Sequence, residues 1–372
     1  MKHFPSGSRG AARHPGELDY ACCASSASRR EFLKSVAAAG AGALLPAASF
    51  PALLGQAASP AARGLTGRID VHHHVVPPAL LQALGAGGGA GGQSTWTPAK
   101  ALEQMDQAGV STGMSSIAPA GDPFNNPATA VRLTRECNEY TARLAADYPG
   151  RFGLMAALPL PNIDASLNEL EYAFDTLKAD GLGLFTVYGK KWLGDSIFNP
   201  IFEELNRRRA VVYTHPNTSD CCRNLVPGVG DGAIEWGTDT TRAITLMIFG
   251  GAAARYPNVR MIWSHGGGTM PFLVERFVGM ANSAQNKPKF PQGFQGAAGK
   301  FYYDTAQVAN PAAMSALSKV VPVSQIVFGT DYPYRTPAEH VKGLKDCGVF
   351  SARDLQMIDR ENALPLFPRF KA

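Results

Sequence analysis

The stretch IDVHHH, at Ile69–His74, constrains the fold most, because a short β-rich run ends there in three histidines. Successive side chains of a β-strand point to opposite faces, so His72 and His74 are predicted to share one face and His73 to lie on the other. Two imidazoles on one face can hold one metal ion. A histidine run exposed to solvent is the alternative, and the rest of the sequence decides between the two.

Seven further β-rich runs follow, and segments of helical length separate them. Alternating strands and helices are typical of βα units around a parallel sheet, and eight such units close a barrel. The predicted strands are Arg68–His72, Gly113–Ala118, Phe152–Leu158, Leu182–Val187, Val211–Thr214, Val259–Ser264, Phe301–Asp304 and Gln325–Gly329. Apolar residues at helical spacing predict helices at Pro98–Gln107, Ala128–Asp147, Ala165–Ala179, Pro200–Arg209, Thr240–Ala254 and Ala312–Lys319. We therefore predict an α/β fold, a single (β/α)8 TIM-like barrel formed by residues 61–372.

Polar residues stand at the ends of three more predicted strands. VVYTHP places His215 before a proline, MIWSHGGG places His265 before three glycines, and IVFGTDYP carries Asp331. Taken singly, each has an ordinary explanation, such as a buried structural histidine or a helix-capping aspartate. Together with His72 and His74 they lie where barrel enzymes have their active sites, at the carboxyl ends of the strands. The sequence therefore predicts a metal site at that end of the barrel.

These motifs in combination resemble the amidohydrolase superfamily, in particular its α-amino-β-carboxymuconate-ε-semialdehyde decarboxylase-like branch. The similarity runs from about residue 68 to residue 370 and includes DVHHH, THP, SHGGG and GTDYP. The resemblance implies that His72, His74, His215 and Asp331 bind one divalent ion, Zn²⁺ or alternatively Mn²⁺. It also implies that His265, together with Asp331, is the catalytic acid or base, and a histidine with a pKa of about 6.5 is suited to moving a proton.

Two shorter motifs, WLGD from Trp192 and DTTR from Asp239, look like the group that includes 6-methylsalicylate decarboxylase. The resemblance to the semialdehyde decarboxylase implies that Arg276, eleven residues after His265, binds the substrate carboxylate in the pocket of a neighbouring subunit of a homodimer, with an ordinary helix-surface arginine as the alternative. Trp192 is predicted to wall the pocket, with simple packing as the alternative. Lys100 is the only cation between residues 78 and 110, which favours a monocarboxylate substrate over a dicarboxylate.

The predicted activity is decarboxylation of a small hydroxylated aromatic acid, such as 6-methylsalicylate, by a metal-dependent carboxy-lyase. Two alternatives stay open, because fold and ligands do not fix the reaction. The same groups could hydrolyse a lactone, ester or amide, or the chain could be an exported metal-binding protein without activity. Lys190 and Lys191 follow the fourth predicted strand, where binuclear members of the superfamily carry a carbamylated lysine. One ion per chain is nevertheless expected.

The first sixty residues differ from the rest of the chain. RREFLK, from Arg29, precedes a weakly apolar segment, Val36–Leu54, and the two together resemble a twin-arginine export signal. A disordered alanine-rich tail is the alternative interpretation. We therefore predict that residues 1–60 are a signal peptide and disordered segment, and that the protein is periplasmic or extracellular.

Charge and cysteine content limit the partners. Residues 1–34 hold six Lys/Arg and three acidic residues, and so contribute +3 of the formal net charge of +5. The remainder is nearly neutral and has no basic stripe with interleaved aromatics, which argues against nucleic-acid binding. No apolar run long enough for a membrane span follows residue 60. Cys137, Cys221, Cys222 and Cys347 form no recognisable framework, and adjacent cysteines seldom bridge each other.

Overall fold

A computed structural model describes residues 66–85, 95–117, 124 and 126–371. The predicted export signal, residues 1–60, lies outside the described residues. The predicted catalytic domain, residues 61–372, is described over most of its length. No helix in this part of the chain is both long and apolar enough to cross a membrane.

Eight parallel strands form a barrel, and a small antiparallel hairpin is inserted between the fourth and fifth of them. The strands are Arg68–Val75 (β1), Val110–Ile117 (β2), Phe152–Ala156 (β3), Gly181–Phe185 (β4), Val187–Tyr188 (β5), Lys191–Trp192 (β6), Val211–His215 (β7), Arg260–Trp263 (β8), Tyr302–Asp304 (β9) and Ile326–Val327 (β10). The barrel order is β1-β2-β3-β4-β7-β8-β9-β10, and β5 pairs with β6.

The last strand returns to the first and closes the barrel. The backbone N–H of Val71 donates to the carbonyl oxygen of Phe328 at 2.9 Å, and that of Asp331 donates to the carbonyl oxygen of His72 at 2.8 Å. The predicted (β/α)8 barrel is confirmed, and all eight predicted strands are present with shifted ends. The hairpin β5–β6 was not predicted.

Helices connect the strands. They are Pro78–Leu84 (α1), Pro98–Gln107 (α2), Pro127–Asp147 (α3), Ile163–Glu171 (α4), Asn199–Arg208 (α5), Glu235–Phe249 (α6), Ala252–Arg255 (α7), Val274–Ala281 (α8), Gly293–Ala298 (α9), Pro311–Val320 (α10), Pro337–Asp346 (α11) and Ala352–Gln356 (α12). The single helix predicted at Thr240–Ala254 is wrong in one respect, because the chain breaks into α6 and α7 at Gly251, whose φ is 81°. A π-helical turn, Tyr172–Thr176, continues α4.

The inside of the barrel is filled by apolar side chains below the polar strand ends. This inner core comprises Ile69, Val71, Met114, Met155, Val211, Tyr213, Ile262 and Val327, and it continues into Ala363, Leu366, Phe367 and Phe370. Arg369 binds Asp180, which precedes β4, and contacts the carbonyl oxygen of Phe152 at the start of β3. The C-terminal segment therefore covers the amino ends of the strands and leaves the carboxyl ends for the site.

Candidate metal centre

Four side chains converge at the carboxyl ends of the barrel strands. β1 places His72 and His74 together, β7 ends at His215, and Asp331 follows β10. One ligand atom from each lies within 4.8 Å of the others, and all four residues are buried. The Nε2 atoms of His72 and His74 are 3.0 and 3.1 Å from Asp331 Oδ1, and Nε2 of His215 is 3.8 Å from it. The structure thus brings the four predicted ligands into one group.

This set of donors fits a divalent metal ion. Nε2 of His72 faces Nε2 of His74 at 3.2 Å, and Nε2 of His215 has no hydrogen-bond partner among the described residues. Buried ring nitrogens so arranged need a proton or a cation between them. Imidazoles with one carboxylate suit Zn²⁺ and other first-row ions. The described part of the chain offers no second cluster of His, Cys, Asp or Glu placed to hold an ion.

Hydrogen bonds on the far side of each ring orient the three histidines. These bonds run from Nδ1 of His72 to Asp304 Oδ2 at 2.7 Å, from Nδ1 of His74 to Ser116 Oγ at 3.2 Å and from Nδ1 of His215 to the carbonyl oxygen of Pro216 at 2.7 Å. A histidine that donates its Nδ1–H outward presents a bare Nε2 to the ion. His73, by contrast, bonds Asp70 at 3.1 Å, as predicted for the opposite face of the strand.

The three histidines of the centre have pKa values that are shifted in different directions. Burial lowers the pKa of His72, but the charges of Asp331 and Asp304 outweigh burial and raise that pKa to about 10. At His215 burial prevails and lowers the pKa to about 3, and it also lowers the pKa of His74. Burial opposes ionisation of Asp331, yet the neighbouring charge of His72 holds its pKa well below the usual range. The carboxylates of Asp331 and Asp304 thus favour a positive charge beside His72, such as a divalent ion would supply.

Asp304, the last residue of β9, was not predicted as a site residue. It is fully buried, and its two oxygens serve different partners. Oδ2 accepts from the ring of His72 at 2.7 Å, while Oδ1 accepts the backbone N–H of His265 at 2.7 Å. The sequence did indicate such a role, because Asp304 lies at the carboxyl end of the seventh predicted strand, and the predicted ligands also lie at the carboxyl ends of their strands. Asp304 is therefore a residue that positions a ligand and the predicted catalytic histidine together.

His265 lies beside the four ligands in a strained backbone conformation. Its Nε2 is 3.5 Å from Asp331 Oδ2, and its ring centre is 5.1 Å from that of His72. The φ angles of His265 and Asp331 are 51° and 61°, in the left-handed region that residues other than glycine rarely adopt. The turn after His265 requires Gly268, since a Cβ there would lie 2.0 Å from the carbonyl oxygen of Gly237. Such strain tends to cluster at functional sites.

A cavity of about 280 Å³ opens onto the metal centre at His215. Much of its wall is apolar and includes Ile117, Ala157, Leu158, Leu160, Leu184 and Phe185. Tyr213 lines it too, and its buried hydroxyl has no hydrogen-bond partner among the described residues. Asp220 and Arg223, in the loop after β7, line another part. An apolar cavity with few polar groups is typical of a small-molecule site.

Of the predicted site residues, only His215 lines this cavity. Arg276 is on α8, exposed, and its side chain makes no hydrogen bond or ion pair with a described residue, so its predicted role in a neighbouring subunit stays a prediction. Trp192 is on β6, where its indole N–H donates to Asp239 at 2.9 Å. Lys190 and Lys191 are exposed, and Lys191 pairs with Asp195 at 2.9 Å. Neither lysine belongs to the buried ligand group.

Arg223 is a cation that sequence reasoning missed. Its side chain is about half exposed and lies 3.7 Å from Asp220. Lys100 is the only cation between residues 78 and 110, whereas the structure brings Arg223 to the cavity from the loop after β7. No local pattern marks Arg223, because its position depends on how that loop folds back over the barrel.

A (β/α)8 barrel whose strand ends carry a buried group of three histidines and one aspartate defines a metal-dependent barrel enzyme. Residues 69–369 match the family model described as amidohydrolase. The chain belongs to the amidohydrolase family. The predicted resemblance to its decarboxylase branch, which includes 2-amino-3-carboxymuconate-6-semialdehyde decarboxylase, is confirmed.

Curated relatives agree with this placement, and a solved structure shares the fold. Decarboxylase yanB from Aspergillus niger is 36% identical over 324 residues, which cover 82% of this chain and 88% of the relative. The 6-methylsalicylic acid decarboxylase from Penicillium expansum is 35% identical over 323 residues, covering 82% and 97%. A dihydroxybenzoic acid decarboxylase from Polaromonas sp. JS666, solved with manganese and the inhibitor 2-nitroresorcinol, has a TM-score of 0.69 and 19% identity, covering 82% of this chain and 98% of that one.

Proposed function

We propose that the protein is a metal-dependent carboxy-lyase that removes CO₂ from a small hydroxylated aromatic acid such as 6-methylsalicylate. The observation that carries the proposal is the apolar cavity that opens onto the buried ligand group at His215. An aromatic ring fits apolar walls, while a carboxylate at its edge meets the metal centre. The relatives named 6-methylsalicylic acid decarboxylase support this choice of substrate.

A divalent ion held by His72, His74, His215 and Asp331 would supply a fixed positive charge for the substrate's carboxylate or ortho-hydroxyl group. In decarboxylation the bond between the ring and the carboxylate carbon breaks, CO₂ leaves, and the ring carbon takes up one proton. His265, with Asp331 at 3.5 Å, is the group we assign to deliver that proton from Nε2. Asp304 fixes the backbone of His265 and so aims the donor. The apolar walls exclude water from the ring.

We propose one divalent ion per chain, Zn²⁺ first and Mn²⁺ second. Nitrogen-rich coordination favours zinc, and the manganese of the Polaromonas enzyme supports the alternative. Metal analysis of protein purified without chelators decides between them. Two tightly bound ions per chain, with a modified Lys190 or Lys191, would contradict the single-ion proposal.

The test of the reaction compares 6-methylsalicylate with simple aryl lactones on metal-loaded protein. We expect release of CO₂ and 3-methylphenol from the acid and no turnover of the lactones. Lactone opening without CO₂ release would make the protein a hydrolase instead. The variant His265→Ala should keep its metal and lose turnover, whereas inactivity of the parent on every hydroxybenzoate would favour a metal-binding role without catalysis.

We also propose that the enzyme acts outside the cytoplasm after twin-arginine export. Arg29 and Arg30, followed by the weakly apolar segment, support this. The double variant Arg29→Lys/Arg30→Lys should accumulate inside the cell with its metal centre intact. Export equal to that of the parent chain would contradict the assignment.

A further inference from the structure

Cys221 and Cys222 form a pair of thiols in the loop that follows β7. They end a short 3-10 turn, Asp220–Cys222, and their sulfur atoms lie 2.6 Å apart. Cys221 is exposed and Cys222 is buried. The other described cysteines, Cys137 and Cys347, are buried elsewhere. The sequence alone assigned no chemistry to the adjacent pair, but the structure places the two sulfur atoms in direct contact.

Neighbouring elements hold the turn in place. The backbone N–H of Ser219 donates to Asp239 at 3.1 Å, and Asp239 also accepts from the indole of Trp192 at 2.9 Å. The backbone N–H of Asp220 donates to the carbonyl oxygen of Gly189, beside the β5–β6 hairpin, at 3.1 Å. The WLGD and DTTR motifs, of which Trp192 and Asp239 are part, therefore anchor the dithiol and the turn that carries it.

The dithiol lies between two residues of the cavity wall. Asp220 precedes Cys221 and Arg223 follows Cys222, and both of these flanking residues line the cavity that reaches His215. Movement of the peptide between the two cysteines therefore shifts the cavity lining on both sides.

The two thiols have different reactivities. Hydrogen bonds with Cys222 and Ser219 lower the pKa of the Cys221 thiol, and the charge of Arg242 acts in the same direction. The contact with Cys221, together with burial, raises the pKa of Cys222 to about 11. Because the thiolate is the nucleophile, the exposed Cys221 is the residue that attacks first.

We propose that Cys221 and Cys222 are a reversible thiol–disulfide site whose state sets the shape of the substrate cavity. The oxidant is a small-molecule or protein disulfide. The Cys221 thiolate attacks one of its sulfurs and releases the first thiol, and Cys222 then displaces the second. One disulfide and two thiols become one internal disulfide and two released thiols; two electrons pass to the external sulfurs, and the two protein protons go to the leaving thiols.

A bond between neighbouring cysteines suits a reversible site. Adjacent Cα atoms are about 3.8 Å apart, which is shorter than the usual spacing of roughly 4.4–6.8 Å in disulfides. A bond outside that range is more easily reduced. The turn must also rearrange to close so small a ring, and Asp220 and Arg223 move with it. The effect on catalysis rests on the proposed function, whereas formation of the bond does not.

The test oxidises the folded, metal-loaded full chain with excess glutathione disulfide, then alkylates free thiols and maps peptides by mass. We expect loss of two hydrogen atoms at Cys221–Cys222, reversal by dithiothreitol, and unmodified buried Cys137 and Cys347. Mapping separates this bridge from any at Cys22–Cys23. The variants Cys221→Ser and Cys222→Ser should lose the bridge and keep full metal content. With 6-methylsalicylate, oxidation should raise KM several-fold in the parent and leave Cys221→Ser unchanged, whereas Cys222→Ser should stop at a glutathione mixed disulfide on Cys221.

The outcomes separate the two proposals. Failure of the bridge to form in folded protein, or a KM equal in the oxidised and reduced parent, would overturn the redox site. A bridge that forms and reverses in a protein inactive on every hydroxybenzoate would support the dithiol site and contradict the proposed function instead. A KM shift that persists in Cys221→Ser would locate the effect elsewhere and overturn the inference.

Discussion

Asp304 links two functional histidines through one carboxylate. It fixes the ring of His72 by one oxygen and the backbone of His265 by the other. A partner of this kind sets which nitrogen faces the ion and how basic it is, although it does not touch the ion itself. In the proposed mechanism, metal binding and proton delivery therefore both depend on this single buried side chain.

We expect Asp304→Asn to weaken metal binding by about 10- to 100-fold, the usual cost of losing such a support. The amide keeps the size of the side chain but cannot accept hydrogen bonds at both positions. Chelator competition for Zn²⁺ measures the affinity. Asp180→Asn is the matched control, because Asp180 pairs with Arg369 at the opposite end of the barrel and should leave the affinity unchanged. An unaltered affinity in Asp304→Asn would remove Asp304 from the centre.

His340 stabilises the loop that reaches Asp331. Its Nδ1–H donates to the carbonyl oxygen of Thr336 at 3.1 Å, and its Nε2 accepts the backbone N–H of Gln307 at 2.8 Å. The side chain of Gln307 in turn donates to Asp331. Burial lowers the pKa of His340 from 6.5, so the folded state prefers the neutral ring. Its contribution to stability is complete above pH 6.5 and is lost as the pH falls toward the folded-state pKa.

The variant His340→Phe should lower the free energy of unfolding by about 1–3 kcal/mol, because the Gln307 N–H loses its acceptor. It should also show a shallower loss of stability below pH 6.5 than the parent. Urea unfolding above and below pH 6.5 measures both effects. The proteins are compared without metal, because metal binding itself depends on pH. Parallel pH profiles for parent and variant would show that His340 does not titrate on unfolding.

At the scale of elements, the barrel strands could be predicted from the sequence. The β5–β6 hairpin, the break between α6 and α7 and the path of the loop after β7 could not. Each barrel strand is a short apolar run, and the ends of several strands, such as β1 and β7, carry a residue of the metal centre. The β5–β6 hairpin consists of two-residue strands, too short to leave a periodic pattern. The break between α6 and α7 depends on Gly251 adopting a positive φ, which a helical spacing of apolar residues does not reveal. Likewise, Arg223 reaches the cavity through loop packing that has no local signature.

The C-terminal segment is an element whose role follows from the inner core. Phe367 is 1% exposed and packs against strand residues at the base of the barrel. Its truncation to alanine leaves a hole that the surrounding strands fill poorly, and Phe367→Ala should cost about 3–5 kcal/mol in the free energy of unfolding. Urea unfolding measures the loss. Ile197→Ala is the comparison, since Ile197 is 41% exposed and should cost far less. Equal losses would mean that the segment is not part of the core.

At the scale of the whole molecule, one exposed surface supports the proposed homodimer. Phe272 is 87% exposed and stands four residues before Arg276. The loop before α6 adds the exposed apolar residues Leu225, Val226, Val229 and Ile234. These segments adjoin each other, because Thr269 N donates to the carbonyl oxygen of Gly237 at 3.3 Å. Exposed apolar groups of this kind mark association surfaces, and Arg276 is itself exposed close to Phe272 in the sequence.

Arg276→Ala should lower kcat/KM about ten- to hundredfold while metal content and folding stay intact, because a charge-assisted contact to the substrate contributes roughly 1.5–3 kcal/mol. Mixing inactive His265→Ala chains with inactive Arg276→Ala chains should restore roughly a quarter of the parent activity, since each mixed dimer regains one complete site. Full activity of a monomer, or no recovery after demonstrated subunit exchange, would refute the shared site.

The closure of the barrel also determines when the metal can bind. His72 belongs to the first strand and Asp331 follows the last, so the ligand group exists only after nearly the whole domain has been synthesised and folded. Metal binding is thus a late step of folding. The ions available in the compartment where the chain folds then determine which metal is bound. The twin-arginine route carries folded proteins, so an exported copy would cross the membrane with its ion already in place. The metal found in the mature enzyme would then reflect which ions are available in the cytoplasm, not which are available outside it.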